Sequence, residues 1–155
     1  KNIVESYIKM LELTNLIPLT LEIEACAIIR SLIKEDFKKE GGTKIFIDIG
    51  AVRTGLILYD QNTIQFTVSL PISGNKITKE ISETLKITKE EAEKAKIVCG
   101  LDEKRCDGAL KIILFSTIEN LCVEIKKAID FYHDHFSNQN KIRFLNLNFR
   151  HLSRL

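Results

Sequence analysis

The run Ile45-Phe46-Ile47-Asp48-Ile49-Gly50 constrains this chain more than any other segment. Its apolar residues, interrupted by Asp48, are β-branched or aromatic and too few for a helix, so it predicts a strand buried on both faces. A carboxylate inside such a strand is costly to desolvate without a partner, and Asp48 stands directly before the turn. Ala51-Val52-Arg53-Thr54 then lead into a second strand over 55–59. The polar cluster Asp60-Gln61-Asn62 turns the chain into a third strand, where Ile64, Phe66, Val68 and Leu70 alternate with Thr63, Gln65, Thr67 and Ser69. Three consecutive strands with tight turns make an antiparallel meander.

Helical spacing frames the meander on both sides. Ile3, Val4, Tyr7, Ile8 and Leu11 mark a first helix that stops at 15–18, and 19–23 reads as a short strand. Ala25, Ile28, Ile29, Leu32 and Ile33 mark a second helix, which turns wholly charged over 34–40 before Gly41 and Gly42. Those glycines place an internal boundary between 1–40 and 41–155. After Pro71, Ile77, Ile81 and Leu85 define a third helix. Thr88 and Glu91 are spaced as a capping box for a fourth helix, with Gly100 as its C-terminal cap. The longest helix covers about 109–136, with its stripe running from Leu110 to Tyr132, and 142–149 alternates like a strand. An α/β or α+β domain whose sheet is covered by helices follows.

Composition narrows the function classes. At 155 residues and 45% hydrophobic, the chain can bury a real core. No apolar run approaches the roughly 20 residues of a bilayer crossing, and no secretory region opens the chain, so a cytoplasmic location is expected. The first residue is Lys1, so the sequence reads as a piece of a longer protein. Net charge is +2, with lysines and glutamates interleaved over 79–96, and no basic face suggests nucleic acid as a partner. Cys26, Cys99, Cys106 and Cys122 form no C-x-x-C pair, and reduced thiols are expected. His133 and His135, two apart on a helix, point to different sides and suit no shared metal.

Chemistry concentrates at Asp48-Ile49-Gly50-Ala51-Val52-Arg53-Thr54. A glycine-containing turn lets backbone N–H groups converge on an anion, Thr54 can add a hydroxyl donor, and Asp48 can hold Mg²⁺ through water. Together these parts suit a polyphosphate. The same residues also fit an ordinary hairpin, with Asp48 forming the turn and Gly50 supplying a positive φ.

The D-x-G-x-x-x-T hairpin is followed by Leu70-Pro71-Ile72-Ser73-Gly74-Asn75-Lys76-Ile77-Thr78 and then by Ala92-Glu93 and Lys96. In this order the elements resemble the second phosphate loop and following segments of bacterial actin-like proteins, most closely the PilM family of type IV pilus assembly proteins. A helix, proline turn and helix over 7–30 add to the likeness, which covers about residues 3 to 147. The resemblance implies an α/β fold of the actin-like, ribonuclease H-like ATPase type. Residues 1–40 would be the end of a first lobe and 41–155 an incomplete second lobe with a three-strand meander and covering helices. It implies ATP or ADP with Mg²⁺, bound by Asp48, Gly50, Ala51 and Thr54 at the phosphates, with Asp48 on the metal through water. Glu93 and Lys96 would face the ribose and adenine, which their shared helix face permits; from residues alone they read rather as an exposed ion pair.

The implied role is a nucleotide-binding cytoplasmic scaffold at the inner face of the inner membrane. It would bind the short cytoplasmic tail of a PilN-like membrane protein, without inserting into the membrane and without hydrolysis by this piece alone. An FtsA-like membrane tether, a sugar or acetate kinase of the same superfamily and a diverged lobe without ligand are the alternatives. Two departures from the family stand out: Ser73-Gly74 replaces a glycine pair, and Asn146-Leu147-Asn148-Phe149-Arg150-His151 replaces a triple-glycine adenosine loop.

Overall fold

The computed structural model describes residues 2–33, 42–102, 104–136 and 142–148. The charged stretch 34–40 and the Phe149-Arg150-His151 departure lie outside the described residues. The chain divides into two compact units, Lys1–Glu35 and Asp36–Leu155.

The first unit holds α1 (Asn2–Leu13) and α2 (Glu24–Leu32). α1 ends at Leu13, and the turn that follows it contains Asn15, whose φ of 57° is the left-handed conformation that asparagine tolerates. The strand expected over 19–23 does not form; this segment has no regular structure, because an apolar run becomes a strand only where a neighbouring strand accepts its hydrogen bonds. Ile28 and Ile29 of α2 are buried, while Ile3, Leu13, Ile17 and Leu19 are largely exposed.

The second unit is a four-stranded sheet with helices. Its strands are β1 (Thr43–Ile49), β2 (Thr54–Asp60), β3 (Thr63–Leu70) and β4 (Ile142–Asn148), in the order β3-β2-β1-β4. β1, β2 and β3 form the antiparallel meander read from the sequence, and β4 joins β1 in parallel, so that Asp48 pairs with Asn148. Every residue of β1 is buried, as its continuous apolar run requires.

The helices are α3 (Gly74–Leu85), α4 (Lys89–Cys99) and α5 (Ala109–His135), the last entered through a single 3-10 turn at Cys106–Gly108. Alternate β1 residues Ile45, Ile47 and Ile49 pack with Leu56 and Leu58 of β2 against Ala128 and Tyr132 of α5. Each such fully buried aliphatic side chain contributes about 1.5–3 kcal/mol. A second cluster joins Ile77 and Ile81 of α3, Ala92 and Cys99 of α4, and Leu110 and Leu114 of α5. The long helix therefore serves both cores, its C-terminal half on the sheet and its N-terminal half on the helix pair. Among the described residues no helix is long and apolar enough to cross a membrane.

Candidate nucleotide site at the β1–β2 hairpin

β1 and β4 run parallel and end side by side at Asp48 and Asn148. In open α/β sheets the crevice beyond the carboxyl ends of parallel strands is where ligands bind. Asp48 is 6% exposed, and strand alternation puts it on the face opposite Ile47 and Ile49. Its antiparallel partner across the ladder is Gly55. A Cβ built on Gly55 would meet no atom within 4 Å, so there is open space at Gly55, on the face of the ladder that it shares with Asp48.

The hairpin closes through Gly50, whose N–H donates to the Arg53 carbonyl at 3.0 Å. A Cβ on Gly50 would lie 2.8 Å from that same oxygen. Gly50 is thus required by close backbone approach; it is absent from the glycines with positive φ, which corrects the expectation that it supplies one.

The turn is then fastened to α3. Gly74 N–H donates to the Gly50 carbonyl at 3.0 Å and Asn75 N–H to the Ala51 carbonyl at 2.9 Å. Ser73 caps the helix by accepting from Lys76 N–H at 3.2 Å, so this serine has a defined capping role. Thr54 is fully buried and donates its hydroxyl proton to the Ile72 carbonyl at 2.7 Å. It therefore holds the hairpin against the chain entering α3, where the sequence suggested a donor to an anion. Among the described residues the Ala51 and Val52 amides have no hydrogen-bond partner, and they are the donors the hairpin can offer.

Glu93 and Lys96 lie on α4, a helix started by the full Thr88–Glu91 capping box and stopped at Gly100 as the spacing predicted. The Glu91 carboxyl is held below its ordinary value, first by the Thr88 backbone N–H and then by the Thr88 hydroxyl. Lys96 is not a surface lysine. Its side chain is 2% exposed and its ammonium donates to Glu93 Oε2 at 2.7 Å, Thr78 Oγ1 at 2.8 Å and the Gly74 carbonyl at 3.3 Å. Thr78 Oγ1 also contacts Glu93 Oε2 and donates to the Gly74 carbonyl at 2.9 Å. Two donor groups, the Lys96 ammonium and the Thr78 hydroxyl, and three acceptors thus tie α4 to the first turn of α3, and through Gly74 to the hairpin. The Glu93 side chain stays 42% exposed, and Lys96 holds it in position.

Two neighbouring features escaped sequence reading. A groove of about 310 Å³ between α3 and α5 is lined by Ser73, Lys76, Glu80 and Thr117 among others, and includes neither Asp48 nor Glu93. At the other end of the sheet, fully buried Tyr132 donates to Asp60 Oδ2 at 2.8 Å and meets Thr43 Oγ1 at 3.1 Å. Burial foremost pushes the Tyr132 hydroxyl above its ordinary pKa, helped by its hydrogen bond to Asp60 and by the charge there, while the Thr43 contact pulls it down. Both features join residues far apart in sequence, and only the stripe position of Tyr132 hinted at either.

Comparison with known proteins bears on the fold and the family. The chain is 35% identical over 57 residues to the cell division protein FtsA of Borreliella burgdorferi, 37% of this chain and 14% of that protein. Its fold superposes with a TM-score of 0.72 on the PilM-PilN type IV pilus biogenesis complex at 20% identity, covering 97% of this chain and 41% of the other. The ethanolamine utilization protein EutJ of Carboxydothermus hydrogenoformans gives a TM-score of 0.66 at 20% identity, with 95% and 53% covered. MreB 5 of Spiroplasma citri bound to AMPPNP gives 0.61 at 16% identity, with 96% and 60% covered. The fold is therefore actin-like, and the chain spans about two fifths to three fifths of the structures it matches. The sequence profile of the family described as Type IV pilus assembly protein PilM matches residues 1–147. The chain belongs to the type IV pilus assembly protein PilM family.

Proposed function

We propose that the chain supplies one side of an ATP- or ADP-binding cleft in a cytoplasmic scaffold of the type IV pilus assembly platform. The observation that carries this reading is the Asp48–Gly50 hairpin, closed at the carboxyl ends of two parallel strands, with open space at Gly55, the ladder partner of Asp48. Those residues fit a magnesium-bound polyphosphate: Asp48 would hold the metal through water, and the Ala51 and Val52 amides would meet phosphate oxygens. Bound Mg²⁺ would neutralise phosphate charge there. Gly50 permits the tight turn, Thr54 braces it, and Glu93, oriented by Lys96, would reach the ribose side.

The finer partner assignment also belongs to this reading. The similar PilM structure is a complex with PilN, which supports a PilN-like inner-membrane partner bound through its short cytoplasmic tail. Residues 1–40 would then close a first lobe and 41–155 form part of the second. Because the chain spans 41% of that PilM-PilN chain, its own ATP affinity is expected to be weaker than micromolar.

The test is equilibrium binding of a fluorescent ATP analogue to the chain at millimolar Mg²⁺ and with EDTA, with the tail peptide titrated separately. Weak binding that EDTA abolishes is expected. No Mg²⁺-dependent binding up to millimolar nucleotide would end the nucleotide reading, and no peptide binding by the full-length protein would end the partner reading.

A further inference from the structure

The reduced-thiol expectation fails at one pair. Cys99 and Cys106 are joined as a disulfide across a sequence separation of 7, with Cα atoms 5.9 Å apart, while Cys26 and Cys122 are free thiols. We propose that Cys99–Cys106 is a reversible thiol–disulfide modification site that staples the end of α4 and thereby sets the rigidity of the Glu93–Lys96 clamp.

Four observations besides the bond itself point this way. Cys99 is the last residue of α4 and is 3% exposed, packed in the apolar cluster that α3, α4 and α5 share. Cys106 is exposed, so one sulfur of the pair is open to an attacking thiolate while the other is anchored in the core. Cys106 also has a φ of 52°, a left-handed conformation that a cysteine adopts at a cost and that opening the bond frees to relax. The 3-10 turn Cys106–Gly108 that follows leads directly into α5, so the staple ties the last residue of α4 to the entrance of α5.

The coupling to the site runs along one helix. Lys96 lies one turn before Cys99, its carbonyl accepts the Gly100 N–H at 3.2 Å, and its ammonium reaches Gly74, whose N–H holds the hairpin. This part rests on the nucleotide reading above; formation of the bond does not. In the cytoplasm that reading implies, disulfides are transient, which suits a switch better than a permanent brace.

The exchange balances with a low-molecular-weight disulfide of the oxidised-glutathione class. The Cys106 thiolate attacks one sulfur, breaking the S–S bond and releasing one thiol, and the mixed disulfide is resolved by the Cys99 thiolate, which releases the second. Two protons leave the protein with two thiol equivalents, and two electrons pass to the small disulfide.

The test equilibrates the chain with oxidised or reduced glutathione and reads three quantities. Non-reducing digestion and mass spectrometry are expected to show a 99–106 linked peptide in the oxidised sample only, with two free thiols remaining. The melting temperature is expected to be higher when oxidised by roughly 5–10 °C, with no redox difference in Cys106→Ser, whose exposed position lets it fold. ATP-analogue affinity is expected to differ about threefold between the redox forms of wild type, and not in the variant. No linked peptide, pairing with another cysteine, or an equal melting shift in the variant overturns the modification site. A linked peptide with equal affinity in both forms overturns the coupling to the clamp. If neither form binds nucleotide, the nucleotide reading fails while the linked peptide and melting shift still decide the disulfide.

Discussion

Glu93 and Lys96 should respond very unequally to mutation, although they are partners in one ion pair. Lys96 is 2% exposed and Glu93 42% exposed, so the cost of losing each differs. Glu93→Ala leaves a buried ammonium facing only the neutral Thr78 hydroxyl and Gly74 carbonyl. Removing one partner of a buried pair costs about 3–5 kcal/mol; partial exposure of Glu93 screens the attraction, so about 2–3 kcal/mol is expected here. Lys96→Met keeps the aliphatic stem in place and lets Glu93 turn into solvent. Thr78 still satisfies the Gly74 carbonyl, so only net hydrogen-bond energy of about 1 kcal/mol is lost. The double variant then has no buried charge to strand and should resemble Lys96→Met, giving a coupling energy of about 2–3 kcal/mol. Urea unfolding followed by circular dichroism measures all four proteins, with unchanged slopes as the sign of a valid comparison. If Glu93→Ala falls within 0.5 kcal/mol of wild type, roughly the effect of an ordinary surface substitution, and the two changes add, the clamp is an exposed ion pair and this reasoning is refuted.

Further consequences can be measured separately. Gly50→Ala places a Cβ 2.8 Å from the Arg53 carbonyl; unfolding should show a loss of about 1–3 kcal/mol, and ATP-analogue titration a loss of affinity. Gly55→Ala meets nothing within 4 Å, so stability should hold or rise while Mg²⁺-dependent nucleotide binding falls; unchanged binding would mean the open space is not the ligand's. Tyr132→Phe should cost about 1–2 kcal/mol in denaturant unfolding through the lost buried hydroxyl. Because the folded Tyr132 pKa is raised, its contribution is complete below the ordinary value of 10 and is lost as pH climbs toward the folded value, so alkaline melting should flatten in the variant. Thr88→Ala should remove about 1 kcal/mol of helix capping. The Glu91 part of that cap is present above 4.5 and fades as pH falls through its lowered folded pKa, which acid titration of stability can follow.

Residues that act on near neighbours were legible in the sequence. The β1 run, the meander, the Thr88–Glu91 capping box and the Gly100 stop are set by local spacing, and all appear in the structure. What local pattern could not supply were the long-range partners. Lys96 reads as a surface lysine until Thr78 and Gly74 are brought over it from another helix. Thr54 reads as an anion donor until the Ile72 carbonyl, eighteen positions away, claims its proton. At Gly50 the crowding of the Arg53 carbonyl, and not a positive φ, requires a glycine, and local sequence does not distinguish the two causes. Residues 19–23 are apolar enough for a strand, yet strands are made by partners that sequence periodicity does not reveal. Cys99 and Cys106 carried no recognised spacing motif, and a helix end and a 3-10 turn bring them together.

The site itself is most directly tested by two-dimensional amide NMR of the isotopically labelled chain during titration with MgATP to millimolar concentration. The Ala51 and Val52 amides, together with residues around Asp48 and Glu93, should shift progressively, and EDTA should reverse the change. Residues lining the α3–α5 groove near Thr117 should stay fixed. Shifts confined to that groove, or none at Ala51 and Val52, would contradict the assignment of the β1–β2 hairpin as the phosphate site.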